Sequence, residues 1–90
     1  MYNDKFVNDS ETLALRALAW IMGDDELGPR FLDITGIAID DLRARAGARD
    51  VLVATLSFLN SHEPSLLAAA AALDIKPGAI MLAAQRLGAE

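Results

Sequence analysis

Nowhere along this chain do apolar and polar residues alternate with the two-residue period of a half-buried strand, and that absence constrains the fold more than any other feature. The β-branched and aromatic residues that favour strands are scarce, whereas 17 alanines and 14 leucines make up most of the apolar set. Turn-forming residues interrupt the pattern near 23–29, 36, 47, 62–64, 74–78 and 88. The reading is therefore all-α: six short helices packed as one globular bundle.

Each helix can be placed by its punctuation. The first starts near Asn8, a cap completed by Glu11 as a capping box, and ends at Gly23. Arg16 is its only charge after Thr12, so it reads as a central, buried helix. Asp24-Asp25-Glu26 and Gly28-Pro29 open a second helix carrying Phe31, Leu32 and Ile34, stopped by Gly36. Asp40 caps a short third helix with Leu42, Arg43 and Arg45. A fourth runs from Asp50 without charge as far as Glu63. Pro64 opens the fifth, with Leu66, Leu67 and the run Ala68–Ala72, and Pro77 opens the sixth. Residues 8–90 then form one helical domain, with 1–7 as a flexible N-terminal arm. Trp20, Phe31 and Phe58 lie among aliphatics at helical spacing and read as core, so that Trp20→Ala costs about 3–5 kcal/mol.

A shift of 38 residues superposes the halves, about 13–47 on 51–85: Leu13 meets Val51, Leu18 meets Leu56, Trp20 meets Phe58 and Leu42 meets Ile80. The expectation is two tandem three-helix units, each resembling a helix-turn-helix, with helices one and four in the middle.

Composition narrows the function classes. With no cysteine, disulfides, thiolate nucleophiles and iron–sulfur clusters are excluded. The longest uncharged stretch, Val51 to His62, is short of the roughly 18 residues of a spanning helix, and residues 1–7 lack the apolar core of a signal peptide. A cytoplasmic protein without a membrane partner is expected. A net charge of −5 argues against nucleic acid, which asks for roughly 6–10 phosphate contacts. One basic patch remains, Arg43, Arg45 and Arg49. With Asp40 and Asp41 upstream, it reads first as acids at the start and bases at the end of a short helix, complementing the helix dipole.

Catalytic signals are thin. His62 is the only histidine, and Ser61 or Ser65 would have to turn towards it to make a nucleophile–base pair, which sequence neighbours seldom do. It reads instead, with Glu63, as the start of helix five. Asp24, Asp25 and Glu26 lack the alternating spacing of a calcium loop, and no glycine pattern matches a phosphate loop, so no metal, no cofactor and no enzymatic activity are expected. An apolar share of 53%, against about 45–50% in ordinary domains, leaves residues for a contact face. Met81, Leu82 and Gln85 lie off the Ile80–Ala83–Ala84–Leu87 stripe of helix six and are the candidate interaction surface.

Ala19-Trp20, the acidic turn with Leu27, Arg30-Phe31-Leu32 with Thr35-Gly36, Leu42-Arg43, and Phe58-Leu59 with Glu63 together resemble a family of short alphaproteobacterial proteins defined only as a domain of unknown function. The resemblance runs from about Leu13 to Leu87, and 30–36 is its most specific block. It implies no activity, cofactor or partner. The run Ala68–Ala72 departs from the larger residues of that pattern and implies tighter packing. Two readings follow: a protein-interaction or regulatory module without catalysis, with a second copy of the chain among its candidate partners; alternatively, a helix-turn-helix nucleic-acid-binding regulator using Arg43, Arg45 and Arg49.

Overall fold

Turn chemistry sets most of the helix boundaries. A computed structural model describes residues 2–88, with side chains from Asp9 onward. Among these residues there are six helices, α1 (Tyr2–Met22), α2 (Leu27–Thr35), α3 (Ile39–Arg45), α4 (Arg49–Asn60), α5 (Glu63–Leu73) and α6 (Pro77–Gly88), and no strand. The all-α fold is as the sequence indicates.

Asp24 ties the α1–α2 turn, since its Oδ1 accepts the N–H groups of Glu26 and Leu27, both at 2.9 Å. Gly36 closes α2 in the left-handed region at φ 75°, donating its N–H to Leu32 O at 2.9 Å. That conformation suits a residue without Cβ. Asp74 does the same for α5 at φ 58°, a strained position for which Asp is among the better-tolerated side chains. Two arginines bond carbonyls at helix ends: Arg16 donates to Leu73 O at the same end of α5 at 3.1 Å, and Arg49 to Leu87 O of α6 at 3.3 Å.

Packing centres on α1 and α4, which touch each other and each of α2, α5 and α6. Ala14 and Ala17 on α1 are fully buried, as is Ala69 on α5, and their small side chains let neighbouring backbones approach. Ile21, Phe31, Leu52, Leu56, Leu59, Ile80 and Leu87 fill the space between. Phe31 and Phe58 meet edge to face, their ring centroids 5.3 Å apart at 88°.

Several expectations need correction. Helix α1 begins at Tyr2, so 2–7 continues the helical backbone and Asn8 lies inside it, where a capping box has no free amide to serve. Nor is α1 enclosed all round: Thr12, Leu15, Arg16 and Ala19 are exposed, because α2, α4, α5 and α6, which supply its main packing, leave one side open. Trp20 is half-buried at the edge of the core rather than within it, so its deletion removes less contact than the loss of an enclosed ring. In the alanine run, Ala69 and Ala70 pack tightly while Ala68, Ala71 and Ala72 face out.

The offset of 38 recurs in the helix boundaries. Helices α1 and α4 end at Met22 and Asn60, α2 and α5 at Thr35 and Leu73, and α3 and α6 begin at Ile39 and Pro77. Gly36 and Asp74, the left-handed residues among those described, stand at the same offset. Packing does not follow it. Helices α4, α5 and α6 close on one another, whereas α3 makes no comparable contact with α1 or α2. The first half is thus not a closed three-helix unit. Its third helix has seven residues and buries only Leu42, too little apolar surface to draw it fully onto its neighbours.

Candidate functional site

The stand-off of α3 opens a groove of about 470 Å³ against α1. One wall is Leu15, Leu18, Ala19 and Met22, which share a face of α1 at i, i+3, i+4 and i+7. The other is Ile39, Leu42, Arg43 and Ala46 on and just beyond α3. Leu18 and Leu42 are buried and form the floor, while Leu15 and Ile39 remain 41% and 42% exposed at the lips. Seven of the eight lining side chains are apolar, and the eighth carries the Arg43 guanidinium.

Local structure holds α3 in this position. Thr35 Oγ1 donates to Phe31 O at 2.7 Å and accepts the N–H of Ile37 at 3.3 Å, so the end of α2 is anchored to the core through Phe31. The chain is extended at Ala38, and α3 then starts with Asp40 and Asp41 in its first turn and ends with Arg43 and Arg45 in its last, the arrangement the helix dipole favours.

The three arginines of the basic patch diverge. Arg43 lines the groove. Arg45 crosses to α4 and grips both carboxylate oxygens of Asp50, at 2.7 and 2.6 Å. Arg49 turns to the C-terminal end of α6. A helix-turn-helix that grips phosphates needs its cations on one face, and this arrangement disperses them.

The Arg45 hydrogen bond holds the Asp50 carboxyl below the ordinary aspartate range, and the Leu27 and Glu26 amides do the same for Asp24. Both folded-state pKa values are depressed, so these groups add stability above the unfolded value of about 4 and lose it as pH falls through the folded values. Acid titration of the melting temperature should therefore show a fall beginning below about pH 4 that is shallower in Asp24→Asn and Asp50→Asn than in the parent. Equal slopes in all three proteins would contradict this.

Met81, Leu82 and Gln85 are exposed on α6. Leu82 and Arg86 border a cleft of about 140 Å³ with Asp9 and Leu13 of α1, separate from the α1–α3 groove. His62 does meet a serine, contrary to the sequence expectation: its Nδ1 and Ser65 Oγ are hydrogen-bonded at 2.7 Å. His62 occupies the cap position of α5 and the buried Ser65 lies three residues on, the spacing across which capping side chains reach. The pair fastens the first turn of α5, beside a polar cleft of about 290 Å³ that also holds Trp20, Asp24 and Arg30.

Sequence reasoning missed the groove. Leu15 and Ile39 carried the signal, each apolar and off the core-facing stripe of its helix, but the gap between them belongs to the placement of α3.

Among the described residues, no three His, Asp or Glu side chains gather as a metal cluster. No single helix there is long and apolar enough to cross a membrane, and α5 with α6 meets that test only as a pair bent by 102°. Comparison with curated proteins and with solved structures returns no match. A family model described as a protein of unknown function (DUF3572) matches residues 7–90, which takes in both walls of the groove and the 30–36 block. The chain belongs to that family.

Proposed function

We propose that this protein is a protein-interaction module without catalysis, and that the α1–α3 groove is where its partner docks. The observation that carries the reading is the groove's composition: a buried apolar floor of Leu18 and Leu42, half-exposed lips of Leu15 and Ile39, and a single cation at the edge. An apolar centre with a polar margin is the anatomy of a docking site, and a cleft between two helices accepts the apolar face of a third. Tying the one histidine to the start of α5 supports a structural role for it. The dispersal of Arg43, Arg45 and Arg49 supports the nucleic-acid alternative less well than the docking reading.

The test is a tagged pull-down from native extract, split into nuclease-treated and untreated halves, using the parent, Ile39→Glu and Met81→Glu. The reading expects a stoichiometric protein, either another chain or an untagged copy, that survives nuclease, stays with Met81→Glu and is lost from Ile39→Glu. Circular dichroism should show both variants folded, since both positions are exposed. Capture that depends on nucleic acid, or that Ile39→Glu leaves untouched, would overturn it.

A further inference from the structure

We propose that the occupant of the groove is a second copy of this chain, seated through the outer face of its α5. The inference rests on the docking reading above and names the partner. From Leu66 to Leu73, helix α5 is apolar on every side, the pattern of a helix covered all round, yet the chain covers only the side bearing Leu66, Ala69 and Ala70. Leu67 stands out from the other side, 49% exposed, with Ala71 one turn further on and Asp74 at the end of the helix. At i and i+4, Leu67 and Ala71 fall on one face, and Asp74, exposed, closes the end of the helix beyond them.

Dimensions and charge both match. Leu67 to Leu73 is six steps along α5, as is Ile39 to Arg45 along α3, about 9 Å at helical rise, and the α1 wall from Leu15 to Met22 is one step longer. Arg43 on the groove and Asp74 on α5 are both exposed, and neither makes an ion pair among the described residues. Seating Leu67 between Leu15 and Ile39 gives Arg43 a carboxylate partner. The alternative donor on the same chain, the Met81–Leu82 face of α6, follows the exposed Lys76 and offers Arg43 no carboxylate. Each copy carries one groove and one α5 face on neighbouring sides of α1: Leu15 and Ala19 face the groove, while Arg16 bonds Leu73 O of α5. Reciprocal exchange across a two-fold axis then closes the assembly at two copies.

Sedimentation velocity across the micromolar range is the experiment, with a cross-link to fix the contact. The parent should form a concentration-dependent dimer, and Leu67→Glu and Ile39→Glu should each be monomeric at the same concentrations with an unchanged circular dichroism spectrum. Arg43→Gln and Asp74→Asn should each weaken the dimer about three- to tenfold, and the double variant no more than either alone. Because the chain has no cysteine, Ile39→Cys and Leu67→Cys made as separate proteins, mixed and oxidised, should give a mixed disulfide in preference to either homodimer. These variants keep the test open should a charged one fail to fold. A parent that is monomeric throughout, a dimer that survives either glutamate substitution, or no mixed disulfide overturns the second-copy inference. A different protein captured by the parent and lost from Ile39→Glu would overturn it while leaving the docking reading intact. Loss of both the dimer and any such capture removes the reading as well.

Discussion

Replacing Phe31 with alanine should lower the melting temperature by about 12–40 °C, since a buried ring deletion costs about 3–5 kcal/mol and each kcal/mol moves a domain of this size by about 4–8 °C. Phe31 has no exposed surface and stacks edge to face with Phe58, so its removal leaves a cavity and an unpaired ring edge. It also anchors the α2–α3 connection, because Thr35 bonds its carbonyl. The backbone bond survives the substitution, whereas the packing beneath it does not. A domain of 90 residues has a total stability of about 5–13 kcal/mol, so this one ring is a large fraction of it. Trp20, although larger, sits half-buried beside a polar cleft, and its replacement should shift the melt less. Thermal and urea denaturation followed by circular dichroism decide the order. A Trp20→Ala variant less stable than Phe31→Ala would contradict this account of the core.

The contrast between these rings shows which parts of the fold were legible. Residues whose role is local were read correctly: Gly36 ends α2 because a left-handed turn favours glycine, and Pro64 and Pro77 stand at helix starts because proline lacks an amide hydrogen. The stripe of Ile80, Ala83 and Leu87 is buried as its spacing indicates. Other features depend on what lies opposite, which periodicity does not encode. Trp20 and Ile21 are consecutive apolar residues, but α4 and its neighbours cover only Ile21 fully. The Arg43–Arg49 cluster looks like one patch along the chain and becomes three separate arrangements in space, because α3 ends at Arg45 and α4 begins at Arg49. The α1 start was hidden for a different reason, since Asn8 and Glu11 have the spacing of a capping box but lie within a helix that begins earlier. Gly36 and the 30–36 block also carry the resemblance to a domain of unknown function, and the family match bears out that much of it.

Helix α5 offers the sharpest test of how far structure goes beyond sequence, because Leu66 and Leu67 are adjacent, chemically identical and followed only by apolar residues to the end of the helix. No amphipathic pattern assigns either of them to the core. In the structure Leu66 is 8% exposed and Leu67 is 49% exposed. An aspartate at 66 would lose the leucine's burial and place a carboxylate in the apolar cluster to which Leu66 belongs. The expected destabilisation exceeds about 3 kcal/mol, enough to lower the melt by more than about 12 °C. The same change at 67 puts the carboxylate in water and should cost under about 1 kcal/mol, mainly from the lower helix propensity of aspartate. If the outer face of α5 seats in the groove of a second copy, Leu67→Asp should nevertheless abolish association while the monomer stays folded. One substitution would then report on the core and the other on the contact, although a single peptide bond separates them. Similar melts for the two variants would mean that α5 is rotated from the orientation described, and the outward face on which the dimer depends would go with it.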